Sequence, residues 1–148
     1  MRARELAQTV AVVDAADDIT TAMRLVGSSG LPGLVIGVGG SFVVVPASQV
    51  LRVALPRYLL DDPALARVWD EASADRLAER LAGLRVADLL AALETGSDGP
   101  AAVVDGDATA VEVAAVMAAA HVPLVAVVDD GVLVGAVTAV SLIAHLSR

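Results

Sequence analysis

Short valine-rich runs alternate along the chain with segments whose apolar residues recur every three or four positions. Residues 10–13, 34–36 and 42–45 are apolar, β-branched and of strand length, which predicts buried strands. Between the first two, Ala22, Leu25 and Val26 share one helical face, and Asp18 stands where a helix cap belongs. The same succession returns later. Residues 101–104, 124–128 and 132–137 read as strands, and Val113, Val116 and Met117 as a helical face. Thr109 and Glu112 open that helix at the T-x-x-E spacing of a capping box. Gly39-Gly40 and Asp129-Asp130-Gly131 predict tight hairpins between the last two strands of each set. Closing helices are predicted from Ala47 and from Ala139. The order is β-α-β-β-α, twice, an α/β (α+β) class. Right-handed crossovers make the first two strands of each set parallel.

The two halves superpose as an internal repeat. At an offset of 91, Val12-Val13-Asp14 falls on Val103-Val104-Asp105, Leu31-Pro32 on Val122-Pro123, and Gly40 on Gly131. Upstream the offset shortens to 83, where Arg2-Ala3-Arg4-Glu5-Leu6 resembles Arg85-Val86-Ala87-Asp88-Leu89. The eight extra residues of the second copy sit around Gly96-Ser97-Asp98-Gly99-Pro100, a linker composition. The reading is a first repeat over 1–55, an insertion over 56–84 and a second repeat over 85–148. The insertion holds six of the eighteen acidic residues and four arginines, Arg57, Arg67, Arg76 and Arg80. Asp62-Pro63 is a helix-start signal. Leu65, Val68 and Trp69, then Ala74, Leu77 and Leu81, predict an amphipathic helical hairpin over one edge. Its charges read as a solvated face.

Composition narrows the chemistry. The 148 residues include no cysteine and no lysine, so thiol, disulfide and Schiff-base chemistry are excluded. A net charge of -8 disfavours nucleic acid. Mean hydropathy is +0.74, and 27 residues between Arg24 and Arg52 are uncharged. Six glycines and two prolines divide that stretch into strand-length pieces, so it is read as strands and turns rather than a membrane span. The first residues have no long apolar core, so no secretory signal is read and a cytoplasmic location is expected. The apolar fraction of 57% predicts excess apolar surface and hence a homodimer.

Copy two carries a resemblance. It runs Val104-Asp105-Gly106-Asp107-Ala108-Thr109, a helix, His121-Val122-Pro123-Leu124-Val125, then Asp129-Asp130-Gly131 and Gly135-Ala136-Val137-Thr138 to Ser141-Leu142-Ile143. This pattern resembles the cystathionine-β-synthase (CBS) domain, and the whole chain resembles a tandem CBS pair, or Bateman module. Copy one matches through Val43-Val44-Val45-Pro46 and Gln49-Val50-Leu51. The resemblance implies two repeats packed sheet to sheet with clefts between them. It implies a regulatory function, dimers formed through helices, and an adenosine-containing ligand such as an adenine nucleotide or S-adenosylmethionine. It implies no catalytic cofactor.

The same resemblance puts ligand contacts at Thr138 and Ser141, at Val122 and Pro123, at His121, and in copy one at Pro32 and Gln49. Ser141 replaces an aspartate of the family pattern, and one hydroxyl holds a ribose less firmly than a carboxylate does. Pro46 replaces the threonine, and Gln49 the aspartate, of copy one. No arginine occurs between Val86 and Ser147 to meet a phosphate. His121 and His145 have no carboxylate pattern around them that marks a metal site. Gly37-Val38-Gly39-Gly40 is followed by a strand, so it reads as a hairpin and not a phosphate loop. No nucleophile motif is present, and no enzyme is expected. The leading expectation is a regulatory CBS pair that binds an adenosyl ligand and relays occupancy to a protein partner. The alternative is a ligand-free dimeric interaction module that docks through the acidic insertion.

Overall fold

In this computed structural model, which describes residues 1–94 and 102–148, every expected strand and both hairpins form. Repeat one comprises β1 (Val12–Asp14), α2 (Ile19–Ser29), β2 (Gly33–Val38), β3 (Ser41–Pro46) and α3 (Ala47–Ala54), preceded by a short helix α1 (Ala3–Leu6). Repeat two comprises β4 (Val103–Asp105), α7 (Ala110–Ala120), β5 (Leu124–Asp129), β6 (Val132–Thr138) and α8 (Ala139–Leu146), preceded by α6 (Val86–Glu94). The expected linker at 96–100 and the first residue of the strand expected over 101–104 lie outside the described residues.

Each repeat makes a three-stranded sheet, β1-β2-β3 or β4-β5-β6, with its first two strands parallel and its last two antiparallel. The registers correspond: Val12 pairs Val35 in one sheet and Val103 pairs Ala126 in the other. Ordered pairing begins at Val12, not Val10, because Gln8 just upstream is bonded to β6 of the other repeat and residues 9–11 cross between sheets. In β6 the register slips at Val127/Val128, a bulge that leaves Val134 unopposed. This one residue moves the repeat offset from 91 at Gly131 to 92 at Thr138.

The sheets lie face to face. Val35 of β2 packs with Leu124, Ala126 and Ala136 of the other sheet, and Phe42 and Val44 close the layer. Helices cover the outer faces with separate cores. Val113, Met117 and Leu142 hold α7 and α8 on β5, and Ile19, Ala22, Val50 and Ala54 hold α2 and α3 on Ile36. Covered on both faces, the first four residues of β5 are all buried, which is why the run 124–127 has no polar alternation.

The leading helices are exchanged between the repeats. Ala3 N–H donates to Ala108 O (2.8 Å) and Arg4 N–H to Gly106 O (3.0 Å), so α1 docks on repeat two. Val86 N–H donates to Asp17 O (2.9 Å) and Ala87 N–H to Ala15 O (2.8 Å), so α6 docks on repeat one. Side chains follow the same symmetry: Arg2 Nη1 donates to Asp107 O (3.1 Å) and Arg85 Nη1 to Ala16 O (2.9 Å). Buried Val86 and Leu89 belong to the core of repeat one, and buried Ala3 to that of repeat two. The 83-residue offset thus marks two helices that each complete the other repeat.

Asp129 ties the first helix down further. Its carboxylate accepts from Arg4 Nη2 (3.0 Å) and from Gly106 N–H (2.8 Å), and Arg4 also pairs with Asp107. The Arg4 guanidinium first, then the Gly106 N–H, hold the Asp129 carboxyl below the usual carboxylate range. Its small contribution is therefore present above the ordinary carboxylate pKa and lost as pH falls through the lowered one.

The insertion is a chain of three short pieces rather than a hairpin: α4 (Arg57–Asp61), a 3-10 helix (Pro63–Val68) and α5 (Glu71–Ala82). Asp62 caps the middle piece by accepting from Ala64 N–H (3.2 Å), as its Asp-Pro sequence predicts. That piece lies against α4 and leaves its apolar side chains Leu65 and Val68 exposed, Val68 at 85%. Leu77 and Leu81 of α5 do pack on the core of repeat one. At the start of α2, Asp18 caps through its backbone alone, because its carboxylate turns to Arg85 (3.2 Å).

Candidate functional site

The expected contacts of copy two converge where β6 turns into α8. Thr138 ends β6 paired with Leu124, and its hydroxyl accepts from Ser141 N–H (3.2 Å), capping α8. The same hydroxyl donates to Ser141 Oγ (3.1 Å), which in turn donates to Thr138 O (3.1 Å). Thr138 is 8% exposed, the one buried polar side chain among the described residues, while Ser141 is exposed. Pro123 stands beside them: its carbonyl accepts from Ala139 N–H (2.9 Å), the first helical donor of α8. The bond recurs in copy one, where Pro32 O accepts from Ala47 N–H (2.9 Å). In both repeats a proline opens the central strand and its carbonyl takes up the first donor of the closing helix.

Val122 and His121 lead into Pro123. His121 ends α7 in the left-handed conformation at φ 54°, the same cap position that Gly30 fills at φ 70° in copy one. His121 and Val122, with Met117, Ala139 and Leu142, line an apolar groove of about 500 Å³ between α7 and α8. Pro32 and Gln49 lie on repeat one, before β2 and in the first turn of α3. Among the described residues no hydrogen bond joins them to Thr138 or Ser141. Five of the seven expected residues thus stand on repeat two, at the end of α7 and the start of α8, and two stand at the matching places of repeat one.

Two glycines shape the surroundings, and neither was singled out from the sequence for this role. A Cβ on Gly135 would collide with the Gln8 carbonyl, and one on Gly33 would lie 2.6 Å from Val45 O. Gln8 approaches β6 at Gly135 to exchange backbone bonds with Ala136 (2.9 and 3.0 Å), a pairing that non-local contacts alone determine. Among the described residues no group of three or more histidines or acids is placed to hold a metal ion. None of their helices is long and apolar enough to cross a membrane.

No family model and no curated protein matches the chain. Solved structures do. A CBS domain-containing protein of unknown function from Kribbella flavida is 42% identical, with 100% of this chain and 99% of that one covered and a TM-score of 0.78. The chain belongs to the CBS-domain proteins. Its two β-α-β-β-α repeats are the two CBS domains of a tandem pair. The CBS domain of a membrane protein from Sphaerobacter thermophilus shares the fold at 19% identity, 97% and 86% coverage and a TM-score of 0.70. So does the CBS-pair protein CBSX2, known from Arabidopsis thaliana and solved in complex with AMP, at 20% identity, 99% and 98% coverage and a TM-score of 0.63.

Proposed function

We propose that this CBS pair is a regulatory module that binds an adenosine-containing ligand at the junction of β6 and α8 and passes occupancy to a protein partner. The observation that carries the reading is the pair of hydroxyls, Thr138 and Ser141, at the N-terminus of α8 beside Pro123. Ribose hydroxyls can take the place of the Thr138–Ser141 bond, with His121, Val122 and Pro123 beside the base. Pro32 and Gln49 mark the corresponding second cleft on repeat one, where Pro46 supplies no hydroxyl and a nucleotide is held less well. The AMP bound to CBSX2 supports an adenine nucleotide as the ligand class. Ser141 gives a single hydroxyl where a carboxylate accepts from two, so affinity is modest. The exchanged helices support a relay, since neither repeat moves without displacing a helix of the other.

Two copies associate in the cytoplasm through the outer face of α7 and α8, where Val111, Val140, Ile143 and Leu146 are exposed. A thermal-shift panel of AMP, ADP, ATP, S-adenosylmethionine, NAD and a cyclic dinucleotide tests the proposal. A ligand at 100 times its Kd stabilises by about 2.7 kcal/mol. For this length that is a rise of roughly 5–10 °C. One or more adenosyl compounds are expected to give it. A flat panel, with a melting temperature that depends on protein concentration, would replace the sensor with a ligand-free interaction module.

A further inference from the structure

The insertion borders an open groove of about 380 Å³, lined by none of the residues of the CBS repeats. Its walls are Tyr58 of α4, Trp69 from the turn before α5, and Ser73, Arg76, Leu77 and Arg80 of α5. The volume is within the range of small-molecule pockets. Arg76 and Arg80 are four residues apart on one helix, so their Cβ atoms are about 6 Å apart, and both line the groove. Arg76 is steadied by Ser73, whose hydroxyl accepts from its Nη2 (3.3 Å) and donates to Asp70 (2.9 Å). The Arg80 side chain makes no hydrogen bond or ion pair among the described residues. The acids of α5, Glu71, Asp75 and Glu79, recur every four residues, and although Glu79 stands three residues from Arg76, none forms an ion pair with either arginine among the described residues.

Two arginines that form no ion pair among the described residues thus border one groove, beside an indole and a phenol. Forked guanidiniums suit phosphate oxygens, and aromatic faces suit a planar ring. We propose that this groove is a second ligand site, separate from the Thr138 cleft, for a small aromatic phosphate. A dianionic phosphate balances both arginines, whereas a carboxylate balances one.

Trp69 is the sole tryptophan, so its emission reports this groove alone. Phenyl phosphate, titrated while that emission is followed, is expected to give a saturable change in the millimolar range or below. Inorganic phosphate and benzoate are expected to bind more weakly. Arg80→Gln, which breaks no bond seen in the fold, and the double variant Arg76→Gln/Arg80→Gln are expected to weaken phenyl phosphate by at least about tenfold. Their melting temperatures serve as the check on folding, and the single variant decides if the double does not fold. No saturable change, affinity unaltered in Arg80→Gln, benzoate equal to phenyl phosphate, or loss of the signal in Thr138→Val would each overturn the proposal. Because the readout and the variants lie in the insertion, this result is independent of the thermal-shift panel.

Discussion

Leu89→Ala is expected to lower the stability of the whole chain by about 2–5 kcal/mol, the cost of emptying a buried leucine site. Leu89 is 1% exposed and packs with Val13, Ile36 and Val86 in the core of repeat one. By chain order it belongs to the second repeat. If α6 packed on its own repeat, the loss would fall there. With α6 exchanged, repeat one loses its core residue, and repeat two follows because α1 ties it back. Urea unfolding is expected to show one transition at a lower midpoint with an unchanged slope. A loss under about 1 kcal/mol, or a second transition from repeat two alone, would contradict the exchange.

Gly135→Ala is expected to be the second large effect, at about 2 kcal/mol. Alanine for glycine usually stabilises by about 0.4–1 kcal/mol by restricting the unfolded chain. Here the Cβ meets backbone, the carbonyl of Gln8, which cannot rotate away. Gln8 must leave β6, and both bonds to Ala136 break. Ala136 is fully buried, so its N–H is left without a partner, at about 1–3 kcal/mol. That loss exceeds the entropic gain. Hydrogen exchange is expected to speed up at Ala136 and along the first helix while β2 and β3 keep their protection. A stabilised variant would show that Gln8, just before the crossing at residues 9–11, is not held at β6.

The local elements were legible because each rests on local signals. Proline at 32 and 123, glycine at 40 and 131 and the Thr109–Glu112 spacing fix where strands and helices begin, and the closing helices start at Ala47 and Ala139 as expected. What was not legible was partnership. The periodicity of Val86 and Leu89 says that a face is buried but not in which core. The shorter offset of 83 held that information without the contacts to interpret it. Likewise the slip from 91 to 92 between Gly131 and Thr138 is the trace of the bulge at Val134. In the insertion the apolar spacing of Leu65 and Val68 predicted a covered face, but the 3-10 segment exposes both. At the cleft, residue types were readable, yet the mutual bonds of Thr138 and Ser141 depend on how α8 leaves β6.

Those bonds place Thr138 at the centre of the proposed ligand site. Calorimetric titration of AMP into the intact protein, Thr138→Ser and Thr138→Val measures what this hydroxyl contributes to binding. Loss of the cap alone costs about 0.5–2 kcal/mol of stability, which the melting temperature reports separately. Saturable binding is expected for the intact protein, with near-equal affinity in Thr138→Ser and a loss of about tenfold or more in Thr138→Val. Absence of binding, or equal affinity in all three, would contradict an adenosyl site at the junction of β6 and α8.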